Sequence, residues 1–294
     1  MPERRQNLYS FGVLGQNADI NRRDRWGSTP LMAAVRKNNR PLIRLLLARG
    51  ADVNARGAQK ATALHYAVLN VPRDAPPAKL RVVRMLLRHR IEIDSLDEYG
   101  QTPLMDAIVG QSPALVRVLL AKGANPNKAF GKAALVWSII AGNRDEIRWD
   151  MLRAGADAKE ADRDGETPLY YAAYRDPKFA RALLEKGADP NAADKQGVTP
   201  LMNAVGSRCP ELVRLLLDAG ARVNDADDRG MTPLMYAMYS EANLETITML
   251  IEAGADVNAE DKDGRSVLKY AEEQAWDDSR KPAIVALMAA GAVG

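Results

Sequence analysis

The side chains with the widest chemical reach are few in this chain: two histidines, His65 and His89, and one cysteine, Cys209. A metal centre needs several His, Cys or carboxylate groups converging on one point, and neither histidine has such neighbours at ligand spacing. Cys209 precedes Pro210 without the histidine and acid partners that would make it a nucleophile, and a single cysteine closes no intrachain disulfide. The glycines do not gather in a phosphate-cradling loop after a strand, and the carboxylates recur at intervals instead of pairing as in a hydrolase. The chain therefore reads as a non-enzyme, with no catalytic residue, no metal and no cofactor expected.

Charge narrows the partners. The 41 basic residues stand against 38 acidic ones, a net of +3 spread along 294 residues, which argues against the concentrated basic face that phosphate backbones require. Nucleic acid is not an expected partner. No apolar run approaches the roughly 18 residues needed to span a bilayer, so no membrane partner is expected either. The start, Met1 to Leu14, lacks the apolar segment and small-residue cleavage site of a signal peptide. With a lone cysteine, that makes the cytoplasm the expected compartment.

The elements that position these residues follow from two landmarks in strict alternation. The first is Thr-Pro-Leu, at Thr29-Pro30-Leu31, Thr102-Pro103-Leu104, Thr167-Pro168-Leu169, Thr199-Pro200-Leu201 and Thr232-Pro233-Leu234, with weaker copies beginning at Thr62, Ala133 and Ser266. The second follows about 21 residues on, as Gly50-Ala51-Asp52-Val53-Asn54, Gly123-Ala124-Asn125-Pro126-Asn127, Gly155-Ala156-Asp157, Gly187-Ala188-Asp189-Pro190-Asn191, Gly220-Ala221-Arg222-Val223-Asn224 and Gly254-Ala255-Asp256-Val257-Asn258. Threonine caps a helix N-terminus and proline suits the next position, where no amide hydrogen is needed. A second helix then opens at a residue such as Pro41, carries Leu42, Ile43, Leu45, Leu46 and Leu47 at helical spacing, and ends at a left-handed glycine. Segments such as Asn191 to Gly197 have the Asp and Gly turn chemistry of a tight hairpin.

This unit resembles the ankyrin repeat. The resemblance implies an all-α repeat solenoid, an array of helix-turn-helix units joined by β-hairpin loops, whose stacked units share one core. Eight copies fit residues 23–55, 56–95, 96–128, 129–160, 161–192, 193–225, 226–259 and 260–294. Residues 1–22 read as a degenerate N-terminal capping segment, because Gly15 to Asn21 repeats the second landmark. A helix over 283–290, after the polar stretch 276–281, reads as the C-terminal cap. Repeat 2 carries about seven extra residues, Val71 to Pro77, too proline-rich for helix and read as a tolerated insertion, with a contact loop as the alternative. Repeat 4, with Phe130-Gly131-Lys132 in its hairpin and Asp150 among apolar residues, is expected to be the least regular. His65 stands where the pattern usually places a histidine that ties the helix start to the adjacent loop.

In that family the hairpin tips and the exposed face of the first helix line a concave groove that receives partners. Two residues after the motif leucine, the eight repeats read Ala33, Tyr66, Asp106, Trp137, Tyr171, Asn203, Tyr236 and Tyr270; one turn further they read Arg36, Leu69, Val109, Ile140, Tyr174, Gly206, Tyr239 and Glu273. With the tip residues Trp26 and Tyr99, nine of the thirteen Tyr and Trp residues fall on groove positions. Tyr and Trp supply many interface hot spots, so these residues and Asn203 are the candidate partner contacts. The same rings also suit a packing role, covering neighbouring helices. A dip at Asn203 and Gly206, walled by Trp137, Tyr171, Tyr174, Tyr236 and Tyr239, is expected. The leading reading is a monomeric scaffold or adaptor that grips a protein or peptide. The alternatives are the targeting module of a larger multidomain enzyme or effector, and a small-ligand receptor, which would require an enclosed pocket.

Overall fold

A computed structural model describes residues 19–73, 80–128, 134–140, 145–240, 242–273 and 281–293. The capping segment through residue 18, most of the insertion at 71–77, the Phe130-Gly131-Lys132 hairpin and the connection at 276–280 lie outside the described residues. The chain divides into two compact units, Met1–Asp157 and Ala158–Gly294. Among the described residues there are sixteen α-helices in eight consecutive pairs. The first unit holds α1 (Pro30–Arg36), α2 (Arg40–Ala48), α3 (Ala63–Leu69), α4 (Arg81–Leu86), α5 (Pro103–Val109), α6 (Pro113–Leu120), α7 (Ala134–Ile140) and α8 (Asp145–Arg153). The second holds α9 (Pro168–Ala172), α10 (Pro177–Glu185), α11 (Pro200–Gly206), α12 (Pro210–Asp218), α13 (Pro233–Tyr239), α14 (Leu244–Glu252), α15 (Val267–Glu273) and α16 (Lys281–Ala289). Within each unit the row of first helices packs helix on helix; in the row of second helices, packing runs from α10 to α16 in the second unit and joins α6 to α8 in the first.

The helices are short and their ends are fixed chemically. The hydroxyls of Thr29, Thr102, Thr167, Thr199 and Thr232 accept the amide three residues on at 3.1–3.4 Å, with proline in the first turn. At the far end of the pair Gly50 takes φ +82° and the Ala51 amide reaches back to the Leu46 carbonyl at 3.0 Å, closing a left-handed cap that recurs at Gly123, Gly155, Gly187, Gly220 and Gly254. Repeat 2 has Arg90 in this place and closes without positive φ, by a bond from the Ile91 amide to the His89 carbonyl at 2.8 Å. The core between the rows is aliphatic: Leu31, Leu64, Leu104, Leu135, Leu169, Leu201 and Leu234 are all buried, as are Ile43, Leu46, Val116, Leu119 and Phe179.

The connecting loops form tight hairpins with little strand character. The described residues contain one isolated antiparallel bridge, Glu260 to Ser266, and no strand ladder. A backbone bond closes each of these turns, as from the Asp194 amide to the Val198 carbonyl at 3.0 Å, and an aspartate side chain reinforces it. One oxygen of Asp194 accepts the amides of Gln196 and Val198 at 2.9 and 2.8 Å, and Asp24, Asp97, Asp162, Asp227 and Asp261 repeat the arrangement. Gly197 completes the turn at φ +79°, where a Cβ would come within 3.0 Å of the Asp227 backbone.

Neighbouring repeats are joined by a carboxamide. The side chain of Asn224 donates to the Gly254 carbonyl at 3.0 Å and accepts the Asp256 amide at 2.8 Å, and Asn54, Asn127, Asn191 and Asn258 make the same two bonds to the repeat that follows. Asp94 keeps only the accepting half, from the Asn125 amide at 3.0 Å. Lys159 stands at this position in the fourth repeat, and an ammonium group accepts nothing. Asn224→Ala deletes both bonds of one link while leaving the core intact. It is expected to lower stability by about 1–2 kcal/mol in urea unfolding, with hydrogen exchange quickening first in the residues either side of that link.

Candidate partner-binding face

The candidate residues sort into three groups by depth. Asn203 is 6% exposed and donates its side-chain amide to the Tyr170 carbonyl at 3.3 Å; Tyr270 is 4% exposed and donates its hydroxyl to Asp261 at 2.6 Å. Neither presents surface to a partner, which corrects the expectation for both. The floor of the expected dip is thus formed by Gly206 alone, beside which a Cβ would meet open space.

Tyr66, Trp137, Tyr171 and Tyr236 are half-buried. Tyr236 donates to the second oxygen of Asp227 at 2.9 Å and accepts from Arg229 at 3.1 Å; burial, then the Asp227 bond, raises its phenol to about 12. Tyr171 donates to Glu166, with Asp162 at 3.4 Å, and its phenol is likewise raised, first by burial. Tyr66 donates to the Ala58 carbonyl at 3.4 Å beneath the Arg36 guanidinium, 5.6 Å from its ring. In the second unit the tyrosine column thus clasps the hairpin aspartate, which uses one oxygen for its own turn and the other for the ring nine residues on. That fixed spacing, seen in Asp162/Tyr171, Asp227/Tyr236 and Asp261/Tyr270, is legible in the sequence and was the available signal for a packing role.

The third group is exposed. Tyr174 (44%) and Tyr239 (61%) stand at the end of α9 and on α13, separated by Gly206 on the intervening α11. Tyr170 braces Tyr174 edge to face at 6.1 Å. In the first unit the equivalent positions are Leu69, Val109 and Ile140, exposed at 64, 49 and 45%. The tips Trp26 and Tyr99 are exposed too, Trp26 under the Arg25 guanidinium at 4.0 Å and Tyr99 accepting from Gln59 at 3.2 Å. The exposed row is therefore the second column, which the sequence reading placed on the same face but did not single out in the first unit.

His65 holds two elements together. Its Nδ1 accepts the Thr62 amide at 3.1 Å, which leaves Nε2 to donate to the Gln101 carbonyl of the next hairpin at 3.2 Å; burial lowers its pKa. Cys209 sits at the N-cap of α12 without a side-chain cap bond. Among the described residues no three His, Cys, Asp or Glu groups are placed to hold a metal ion.

Asp106 occupies the clasp position of repeat 3, opposite Asp97, so two carboxyls meet where the second unit pairs a phenol with a carboxylate. Its Oδ2 is buried without a hydrogen-bond partner among the described residues, and burial, then the charge of Asp97, raises its pKa to about 7. A carboxyl raised in the folded state contributes stability that is full below its unfolded value near 4 and is lost as pH rises through about 7. Asp106→Asn is therefore expected to match the parent near pH 4 and to exceed its stability at pH 8 by about 1–3 kcal/mol, read from urea unfolding at the two pH values. Tyr236→Phe removes only the hydroxyl and should cost about 1–2 kcal/mol with the overall helix signal unchanged.

Family models for ankyrin repeats match residues 14–67 and, in overlapping stretches, 78–261. Similar proteins include Protein glp-1 of Caenorhabditis elegans, 32% identical over 54% of this chain and 13% of its own length, and Inversin of Canis lupus familiaris, 30% identical over 56% of this chain and 15% of its own. Transient receptor potential cation channel subfamily A member 1 of Homo sapiens is 35% identical over 36% of this chain and 9% of its own length. The chain thus spans less than a sixth of the length of each of these relatives. With the capped helix pairs, the aspartate-reinforced hairpins and matching family models over most of its length, the chain belongs to the ankyrin-repeat family.

Proposed function

We propose that this protein is a non-catalytic adaptor that binds a partner protein or peptide across the first-helix faces and hairpin tips. Ankyrin repeats are generally protein–protein interaction modules, and the observation that carries the reading here is the exposed second column. Tyr174 and Tyr239 hold large rings in solvent on either side of Gly206, whereas the rings of the first column are spent on the fold. A ring that makes no hairpin bond and still stands at the end of a first helix has area to give a partner, and the missing side chain between them leaves room for a partner's side chain. The partner is a protein surface rather than a small ligand, because the exposed residues form an open row. The protein acts as a monomer in the cytoplasm. A second reading, the binding module of a longer polypeptide, is favoured by the small share of each relative that the chain matches.

Affinity capture from the native host with mass spectrometry supplies the partner, and calorimetry on single variants then tests the face. Tyr174→Ala and Tyr239→Ala are expected to weaken binding, at least one of them by about 2 kcal/mol, with unchanged unfolding midpoints. Lys178→Ala, on the second helix α10, should bind as the parent does. Equal affinity in both tyrosine variants would remove this face from the interface, and loss of binding on deletion of residues 71–77 alone would assign it to the proline-rich insertion.

A further inference from the structure

The composition spreads charge along the chain, but the fold does not. Arg40, Arg44, Arg81, Arg84 and Arg88 converge with Met85 around one cleft of about 220 Å³ on the second helices α2 and α4. Arg40 and Arg44 are one turn apart on α2, and Arg81, Arg84 and Arg88 follow at three and four residues along α4 and the turn that ends it, so each set shares a face. Neither helix carries an acidic residue, and among the described residues none of the five arginines is within ion-pairing distance of a carboxylate.

The rest of the second-helix row shows what is missing. Arg117 and Arg214 stand at the position of Arg44, six residues before the capping glycine. Arg117 meets Glu146 and Asp150, one turn apart on the following helix α8, the latter at 2.8 Å; Arg214 meets Glu245 of α14 at 3.3 Å. Asp150, out of place by hydrophobic pattern, is thereby explained. The position that answers with Glu146 and Glu245 is held by Arg81 in repeat 2, so there arginine faces arginine. Like charges gathered without counter-charge raise the energy of the folded state, and an external anion relieves it.

We propose that the α2–α4 face is a second binding site, for an acidic segment of a partner protein with carboxylates one helical turn apart. The chain's own Arg117 contacts define that chemistry, and guanidinium forks suit paired carboxylate oxygens. A short segment fits better than an extended polyanion. The cluster contains no lysine and is confined to two helices, and farther along the row α8 carries Asp145, Glu146 and Asp150. The site lies on the second helices, apart from the first-helix face, so one molecule can hold two partners.

The test uses the full chain and a fluorescein-labelled helical peptide with glutamates at i and i+4, read by anisotropy at low salt against the same peptide carrying glutamines. The glutamate peptide should bind and the glutamine peptide should not, with affinity falling as salt rises. Arg81→Glu restores the pairing seen at Arg117, so it should weaken binding at least tenfold while the Tm stays at or above that of the parent, which a merely misfolded variant does not show. Lys178→Glu makes the same charge change on the second unit and should bind as the parent. Tyr239→Ala should also bind this peptide normally, which separates the site from the first-helix face. Equal weakening by Lys178→Glu would reduce the effect to net charge and overturn the proposal. So would binding of duplex DNA or anionic vesicles that is lost in Arg81→Glu while the glutamate peptide fails to bind the parent.

Discussion

The local geometry of six of the eight repeats depends on the aspartate that begins the hairpin. One oxygen takes two amides and so reinforces a turn without a strand ladder; in the second unit the other oxygen takes a phenol from the first helix of the same repeat, at 2.9 Å for Tyr236 and 2.6 Å for Tyr270. The hairpin is thereby fixed in angle to the helix whose start it precedes. The residue one turn beyond the phenol, Tyr174 or Tyr239, stands in solvent. Where the phenol is replaced by Asp106 the position becomes a liability once that carboxyl ionises, because it is buried without a hydrogen-bond partner and near the charge of Asp97.

Features of the fold governed by neighbours in sequence were legible in advance. Thr-Pro, the capping glycine and the Asp-x-x-Gly hairpin each satisfy backbone groups within a few residues, so composition and spacing suffice to read them. Depth was not legible in the same way. Helical spacing placed Tyr236, Tyr270 and Asn203 on one face, but it says nothing of how far the next repeat rises beside them, and Tyr270 and Asn203 are covered. The aspartate nine residues before each tyrosine contained the missing information, since a hydroxyl near a fixed acceptor will bond to it. Total charge misled for a related reason. Arginines some forty residues apart in sequence meet in space only after the repeats stack, and a count taken along the chain averages them away.

The two rows of helices consequently do different work. The first row spends its polar chemistry on closing hairpins and leaves rings and aliphatic side chains in solvent. In the second row Arg117 and Arg214 are met by the following helix, whereas the arginines of α2 and α4 face one another. On the proposed reading, recognition by dispersion and area would belong to one row and recognition by charge to the other. Their affinities should accordingly respond to different conditions, the second to ionic strength far more than the first.

The asparagine link that follows the capping glycine has a direction: Asn54, Asn127, Asn191, Asn224 and Asn258 each reach from their own repeat to the following one. A contact whose two halves lie on opposite ends of the same unit is head-to-tail, so each unit offers a matching end to the next. Any copy can therefore be duplicated or excised between two asparagines and leave matching ends behind. The number of repeats is in that sense a matter of genetic copying, with no geometric stop written into the unit, and the ends of such an array must be set by sequence that departs from the pattern.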